Sequence, residues 1–163
     1  MNNLIEKRRK PLSERRARRI FAQIARVAYD FQKAGICHRD LKDENVLVAP
    51  GDKIYMIDFG TTMDVESSYS DMVGTPCFFS PEFFTQGFFR PQQLSVWSIG
   101  AILYIMMVRH WRWANEAEEW RRDSRDESKL SEPTLSFINQ LLEEDADKRL
   151  TLLEVLESDW LKA

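Results

Sequence analysis

The sequence predicts a mainly α-helical domain with one small β-hairpin, and three observations lead to this fold class. Apolar residues recur at three- and four-residue spacing in several long stretches, which is the period of an amphipathic helix. Two short apolar runs flank Pro50-Gly51-Asp52, a turn sequence of hairpin length. The chain has 163 residues, 44% of them hydrophobic, which is enough for a single core.

The first helix is predicted to begin after Ser13, which we expect to cap it, and to end at Gly35. Its apolar face is formed by Ala17, Ile20, Phe21, Ile24, Ala25, Ala28 and Phe31. The hairpin follows, with strands at 46–48 and 54–57. From residue 61 to residue 91 no period persists, so we expect a long loop with short helical pieces, and long loops in compact domains are usually functional.

Helical spacing returns at 94–108, at 134–142 and at 150–160. The first of these is apolar nearly all round, which predicts a buried helix; its most apolar part, 99–108, is too short to cross a bilayer. The stretch 111–129 is charged and aromatic without a clear stripe. A short helix over 114–122 is one interpretation of it.

Charge excludes some classes of function. The net charge of −3 argues against a general nucleic-acid binder, and nothing in the pattern indicates a membrane protein. Basic residues nevertheless crowd the first part of the chain, either as a solvated helix face or as a localisation signal or phosphate-binding patch. They are Lys7, Arg8, Arg9, Lys10, Arg15, Arg16, Arg18 and Arg19.

Two cysteines, Cys37 and Cys77, lie outside any metal-binding spacing, which favours a reduced, intracellular protein. The opening residues lack an apolar run behind their charges, so we expect no secretory signal. The expected location is the cytoplasm or the nucleus.

Several short motifs succeed one another in a fixed order. They are His38-Arg39-Asp40-Leu41-Lys42-Asp43-Glu44-Asn45, Asp58-Phe59-Gly60, Gly74-Thr75 and Ser80-Pro81-Glu82. Phosphoryl transfer needs a group that orients the attacking hydroxyl, oxygen ligands for magnesium and positive charge near the moving phosphoryl group. Asp40 is the candidate for the first task, and Lys42 supplies the charge. Asn45 and Asp58 offer the oxygen ligands.

With these motifs in this order, the whole chain, residues 1–163, resembles the C-terminal (large) lobe of a eukaryotic-type serine/threonine protein kinase. Lys42, two residues after Asp40, matches the serine/threonine pattern rather than the tyrosine pattern. The resemblance implies ATP and Mg²⁺ as cofactors and protein substrates as partners. It also implies that Thr75 bonds to Asp40 and Lys42.

The resemblance assigns a role to each candidate site residue. The catalytic residues are Asp40, Lys42, Asn45 and Thr75; the nucleotide contacts are Lys42, Asn45, Leu47 and Asp58; the metal ligands are Asn45 and Asp58; the substrate contacts are Asp43 and Glu44; the activation-segment residues are Arg39 and Asp71; and the structural residues are His38, Phe59, Glu82 and Arg149. Glu82 and Arg149 are expected to form a buried ion pair.

Within the family the chain looks most like the Pim group and related kinases that prefer basic substrates. Lys42-Asp43-Glu44-Asn45, Tyr69-Ser70-Asp71 and the segment around Ser95 carry that similarity. Most kinases have an aspartate at Ser95, where it anchors the catalytic loop, but the Pim group also lacks it. Asp43 and Glu44 are expected to bind an arginine upstream of the target hydroxyl, and Asp71 to pair with Arg39 without phosphorylation.

The six glycines are too scattered to form a phosphate-binding loop, and no strand lysine of the Val-Ala-Ile-Lys type is present. We therefore expect a large lobe without its N-terminal lobe, which binds nucleotide weakly on its own. Two hypotheses follow. One is the catalytic lobe of a kinase; the alternative is a non-catalytic, kinase-derived interaction module that binds a regulatory or complementing protein.

Overall fold

The computed structural model describes residues 2–3, 11–65, 68–108, 112–114, 119–121 and 127–163. The predicted first helix, α1, spans Glu14–Lys33. Ser13 occupies its N-cap position, but the Ser13 side chain makes no capping hydrogen bond, so the expected cap is wrong in that respect. The helix ends just before Gly35, whose φ of 77° suits a residue without a Cβ.

The predicted hairpin is present as β3 (Val46–Val48) and β4 (Ile54–Met56), joined by a 3₁₀ turn. Val46 lies opposite Met56, and Val48 lies opposite Ile54. A short strand, β1 (Asn2–Asn3), pairs with β3 and completes a three-stranded antiparallel sheet. A second sheet pairs β2 (Ile36–Cys37) with β5 (Met63–Asp64). The motif of residues 38–45, called the catalytic loop below, directly follows β2.

Three further helical regions follow. Helix α2 spans Pro81–Gln86, α3 spans Pro91–Val108 and α4 spans Glu132–Leu141. The single helix expected at 150–160 is wrong: the chain forms α5 (Leu152–Glu157) and α6 (Asp159–Lys162). Ser158 between them has an extended ψ of 145°, and its hydroxyl accepts a hydrogen bond from the Leu161 N–H, so it caps a new helix.

The stretch that lacks a helical stripe forms two strands where the structure describes it. Strand β6 (Arg112–Ala114) pairs antiparallel with β7 (Glu119–Arg121), with Trp113 opposite Trp120. The helical interpretation of 114–122 is therefore wrong for these residues, since aromatic residues without an i, i+3 repeat favour strands. Residues 115–118 and 122 lie outside the described residues.

The core forms where α1 packs against α3. Helix α3 is long and apolar enough to cross a membrane by length and composition, but 89% of it is buried inside the fold, as expected for a core helix. Four aromatic and aliphatic side chains form a second cluster below the long loop: Phe79, Phe83, Phe89 and Leu94.

The basic residues of α1 hold the hairpin in place. Arg16 and Arg19 both contact the carboxylate of Asp52, which is 7% exposed in the turn between β3 and β4. The Gln23 amide adds a hydrogen bond of 2.8 Å to the Asp52 carbonyl. Part of the basic region therefore has a structural role, while Lys7, Arg8, Arg9 and Lys10 lie outside the described residues.

Candidate active site

The catalytic-loop sequence leaves β2 through an unusual backbone turn. Arg39 has a φ of 66°, in the left-handed region that a residue with a Cβ adopts at a cost. The carbonyl oxygen of His38, one residue earlier, accepts a hydrogen bond of 2.8 Å from the Thr61 hydroxyl. This turn brings the side chains of Arg39 and Asp40 to the same side as the loop that contains Thr75.

Asp40 lies at the centre of a hydrogen-bonded cluster. Its Oδ1 accepts from the Thr75 hydroxyl at 2.6 Å, and its Oδ2 lies 2.8 Å from the Lys42 Nζ. Lys42 also donates to the Thr75 hydroxyl at 2.7 Å. The Asn45 amide nitrogen donates to the backbone carbonyl of Asp40 at 2.8 Å and to its Oδ2 at 3.1 Å. The four residues proposed for catalysis are therefore brought together.

The charges within this cluster are mutually stabilised. Burial by itself raises the pKa of Asp40, but hydrogen bonds from Lys42 and Thr75 and the charge of Lys42 hold it below its ordinary value. Burial also disfavours the charged form of Lys42, yet its hydrogen bond to Asp40 and the nearby carboxylates raise the pKa of Lys42 above its ordinary value. At neutral pH both groups are charged, so Asp40 is suited to orienting a hydroxyl group.

The His38 ring contacts backbone groups of the catalytic loop and of the hairpin. The backbone N–H of Asp40 points to its Nδ1 at 3.4 Å, and its Nε2 lies 3.0 Å from the Ile57 carbonyl, so the neutral ring carries its proton on Nε2. Burial lowers the pKa of His38, which favours this neutral form. The ring centroid lies 5.2 Å from that of Phe59, which packs edge-on against Phe31 at 5.6 Å. His38 and Phe59 therefore pack against neighbouring rings, although the Phe59 side chain is 49% exposed.

The hairpin brings the backbone of Asn45 next to the residue that precedes Asp58, the other candidate metal ligand. The Ile57 N–H donates to the Asn45 carbonyl at 3.0 Å, so Asn45, which directly precedes β3, lies beside the residue that precedes Asp58. Asp58 has a φ of 64° and is exposed, and its charge contributes to raising the pKa of Lys42. The Asn45 side chain bonds to Asp40 through its amide nitrogen, so its carbonyl oxygen can serve as a neutral metal ligand.

The oxygen ligands offered by Asn45 and Asp58 fit magnesium. Mg²⁺ prefers oxygen ligands and keeps part of its coordination for water and substrate phosphates, so one amide and one carboxylate from the protein suffice. Among the described residues no group of three histidine, cysteine or acidic side chains forms a metal site on its own. When bound, the ion would neutralise charge on the phosphates of ATP.

Leu47 and the acidic pair lie on either side of Asn45. Leu47 is half-buried in the central strand of the sheet, opposite Tyr55. Burial and the neighbouring charge of Glu44 raise the pKa of Asp43 to about 7, and a hydrogen bond between the two carboxyl groups adds to the shift. Asp43 and Glu44 are therefore a coupled acidic pair at the edge of the Asp40 cluster, with Glu44 exposed to solvent.

Arg39 connects the catalytic loop to the long loop. Its Nη2 donates to the Asp71 Oδ1 at 2.7 Å, and the arginine side chain is 1% exposed whereas that of Asp71 is 49% exposed. The guanidinium stacks on the Tyr69 ring at 4.9 Å and lies 5.6 Å from the Phe89 ring. The hydrogen bond and charge of Arg39 hold the pKa of Asp71 below its ordinary value. The expected pair is formed by unmodified side chains.

The expected Glu82–Arg149 pair is present and buried. Two parallel hydrogen bonds of 3.0 and 2.9 Å join the guanidinium to the carboxylate, and the side chains are 0% and 5% exposed for Arg149 and Glu82. Arg149 also donates to the carbonyls of Glu143 and Gln93 at 2.8 and 3.0 Å, and it stacks on Trp97 at 5.0 Å. The pair ties the start of α2 to the segment before α5.

Sequence reasoning missed three supports of this site. Gly74 has a φ of 121°, and a Cβ there would lie 2.6 Å from the Arg39 carbonyl oxygen, so only glycine allows the two loops to approach. The rings of Tyr69 and Phe89 enclose Arg39, and their backbones form an isolated antiparallel bridge. Cys37 contacts Ser95 on α3. No local pattern reveals these contacts, because each joins residues far apart in the sequence.

Comparison with known proteins agrees with this geometry. The family model for the protein kinase domain matches residues 1–161. The chain is 32% identical to the serine/threonine-protein kinase PSK2 of Saccharomyces cerevisiae over 94% of its length. It is 31% identical to the human hormonally up-regulated neu tumor-associated kinase over 99% of its length and 32% identical to calcium-dependent protein kinase 12 of rice (Oryza sativa subsp. japonica) over 92%.

The chain spans only part of these relatives: 14% of the yeast kinase, 24% of the human kinase and 31% of the rice kinase. Most of each relative's length therefore lies outside the part that resembles this chain. Because the family match runs over nearly every residue of the chain and the motif residues form one hydrogen-bonded cluster, the chain belongs to the protein kinase domain family.

Proposed function

We propose that this chain is the catalytic lobe of a protein serine/threonine kinase, which transfers the γ-phosphoryl group of ATP to serine or threonine hydroxyls of protein substrates. The observation that carries the proposal is the cluster of Asp40, Lys42, Thr75 and Asn45, joined by contacts of 2.6 to 3.1 Å. A purely structural charged turn has no need of a threonine that bonds to both the carboxylate and the ammonium group.

Each residue has a task in this reaction. Asp40 orients the attacking hydroxyl, and its low pKa makes it a fixed negative charge at neutral pH. Lys42 places its charge beside the transferred group, and Thr75 aligns both side chains. Asn45 and Asp58 would hold magnesium, which would neutralise charge on the phosphates of ATP. Transfer then depends mainly on positioning and charge.

The proposed substrates carry basic residues upstream of the target hydroxyl, as in the Pim-like kinases. Asp43 and Glu44 support this proposal because two adjacent acidic side chains match the planar guanidinium group of arginine. If replacing upstream arginines in a peptide array leaves phosphorylation unchanged, the basic-motif assignment is wrong.

The nucleotide is proposed to lie between this lobe and a smaller N-terminal lobe that carries the phosphate-binding loop and the strand lysine. Exposed apolar side chains beside the site support the presence of a covering partner, since isolated apolar patches are costly in water: Tyr55 is 39%, Ile57 is 36% and Phe59 is 49% exposed. Without that lobe, or a complementing protein in its place, weak nucleotide binding and a low rate are expected.

The experiment that tests this function is phosphoryl transfer by the full-length gene product. The protein is incubated with labelled ATP, Mg²⁺ and a mixed protein substrate, and the labelled amino acid is identified after hydrolysis. Label on serine or threonine, lost in the Asp58→Asn variant and on chelation of Mg²⁺, is the expected result. A folded wild-type protein that binds other proteins but transfers no label would instead support the non-catalytic interaction module.

A further inference from the structure

Tyr69 lies in the middle of the long loop and makes three separate contacts there. Its phenol hydroxyl donates to the Asp64 carbonyl on β5 at 2.9 Å. Its backbone N–H and carbonyl pair with those of Phe89 at 3.1 and 3.0 Å. Its ring covers the Arg39 guanidinium at 4.9 Å. This one residue therefore joins the long loop to β5, to the segment before α3 and to the catalytic loop, although it has no task in the phosphoryl transfer proposed above.

The Arg39 guanidinium is buried more deeply than its ion pair with Asp71 can compensate. The Arg39 side chain is 1% exposed, whereas that of Asp71 is 49% exposed. An ion pair that is open to water on one side contributes little and is screened by salt. Within the part of the chain that the structure describes, the Arg39 Nε is buried without a hydrogen-bond partner. The guanidinium therefore needs a further source of stabilisation.

Two aromatic rings supply it. The ring centroids of Tyr69 and Phe89 lie 6.1 Å apart, and the Arg39 guanidinium lies 4.9 and 5.6 Å from them. Aromatic faces carry partial negative charge and attract a guanidinium, more strongly where water is excluded. Phe89 is fully buried in the aromatic cluster below the loop, while Tyr69 is half-buried and packs against that cluster. Tyr69 is thus the side of the enclosure that the loop itself contributes.

We propose that Tyr69 is a positioning residue, which holds the long loop over the catalytic loop by enclosing Arg39 with its ring and by bonding to β5 through its hydroxyl. Asp71 supplies the opposite charge, and Tyr69 supplies the shelter from water. Because Arg39 precedes Asp40 and Thr75 lies farther along the same loop as Tyr69, this enclosure fixes how Thr75 reaches Asp40 at 2.6 Å. The catalytic consequence rests on the proposed kinase function, whereas the enclosure of Arg39 does not.

Amide hydrogen exchange in the full-length protein tests the enclosure without reference to catalysis. The Phe89 amide is the probe, since it donates to the Tyr69 carbonyl at 3.0 Å. Tyr69→Leu removes the ring and the hydroxyl, so this amide should exchange at least roughly tenfold faster, in line with the loss of a cation–π contact and a hydrogen bond. Tyr69→Phe keeps the ring and loses only the bond to the Asp64 carbonyl, so exchange should rise roughly threefold to fivefold.

Tyr29→Leu is the matched control. Tyr29 is a half-buried tyrosine on α1 whose ring also faces an arginine, Arg26, at 5.8 Å, but the Arg26 side chain is 64% exposed. This variant should leave exchange of the Phe89 amide unchanged. If Tyr69→Leu also leaves it unchanged, or if Tyr69→Phe exchanges as fast as Tyr69→Leu, the ring does not hold the loop and the enclosure is wrong.

Kinetics separate this inference from the proposed function. If the wild-type protein transfers phosphate, Tyr69→Leu should lower kcat about tenfold with the KM for ATP unchanged, because the loop carries Thr75 away from Asp40 and leaves the proposed nucleotide contacts in place. Tyr69→Phe should recover most of the rate. Unchanged kcat in Tyr69→Leu contradicts the positioning role. If the wild-type protein transfers no phosphate, the proposed function fails, while the exchange measurement still decides whether Tyr69 encloses Arg39.

Discussion

The buried pair of Glu82 and Arg149 gives a prediction whose size follows from the structure. Arg149→Met removes the guanidinium and leaves the Glu82 carboxylate buried, with its side chain only 5% exposed. Removing one member of a buried ion pair costs about 3 to 5 kcal/mol of the free energy of unfolding, because the remaining charge is left without compensation. The same variant also loses the stacking on Trp97 and the hydrogen bonds to the carbonyls of Glu143, Gln93 and Glu144.

The assay is urea unfolding of the full-length protein, followed by fluorescence and far-ultraviolet circular dichroism. Arg90→Ala is the matched control, since Arg90 and Asp147 form an ion pair of 2.6 Å whose side chains are 44% and 80% exposed, and such surface pairs contribute about 1 kcal/mol or less. The double variant Glu82→Gln, Arg149→Met should lose less stability than Arg149→Met alone, because no charge stays buried. The reasoning is refuted if Arg149→Met costs no more than Arg90→Ala, or if the double variant is the less stable one.

Three further predictions concern charge and pH. Asp71→Ala should lower the kinase rate roughly tenfold, because one charge-assisted hydrogen bond to Arg39 is lost. Asp64→Ala, on β5, is the control. A wild-type rate in Asp71→Ala would contradict the prediction that the long loop is ordered without phosphorylation. Since the pKa of Asp43 is about 7, the KM for an arginine-containing peptide should fall as the pH rises from about 6 to about 8, and Asp43→Asn should abolish that dependence. Burial lowers the pKa of His38 in the folded state, so the neutral ring stabilises the fold at pH values above the ordinary pKa of 6.5, and this stabilisation is lost as the pH falls through 6.5 and below. The difference in unfolding free energy between wild type and His38→Gln should therefore shrink on acidification. A constant difference would contradict this prediction.

The cluster around Asp40 could be predicted from the sequence because its members lie in short motifs with fixed spacing. Lys42 and Asn45 follow Asp40 closely along the chain, and the hairpin that brings Asp58 near Asn45 has a clear turn signal at residues 50–52. The Glu82–Arg149 pair joins residues 67 positions apart, and only resemblance to a known family could predict it.

The remaining features depend on contacts that no local pattern encodes. The apolar residues Leu152, Leu156 and Trp160 keep a four-residue spacing across the break, so the break at Ser158 is visible only in its extended backbone and its capping hydrogen bond. The contact between Cys37 and Ser95 depends on how β2 meets α3, which hydrophobic spacing does not specify. Sequence reasoning thus identified the candidate site residues that the fold brings together, whereas the side chains that hold them in place are visible only in the packing.

Phosphoryl transfer by the Asp40→Asn variant of the full-length protein is the most direct test of the proposed kinase function. Asparagine keeps the size of the side chain and can still accept from Thr75, but it removes the negative charge that pairs with Lys42 at 2.8 Å. The rate of phosphorylation of serine or threonine in a protein substrate should fall by roughly 10² to 10⁴, while circular dichroism and thermal unfolding show a folded protein. Transfer at the wild-type rate by this variant would contradict the central role given to Asp40, and with it the assignment of this cluster as the catalytic centre.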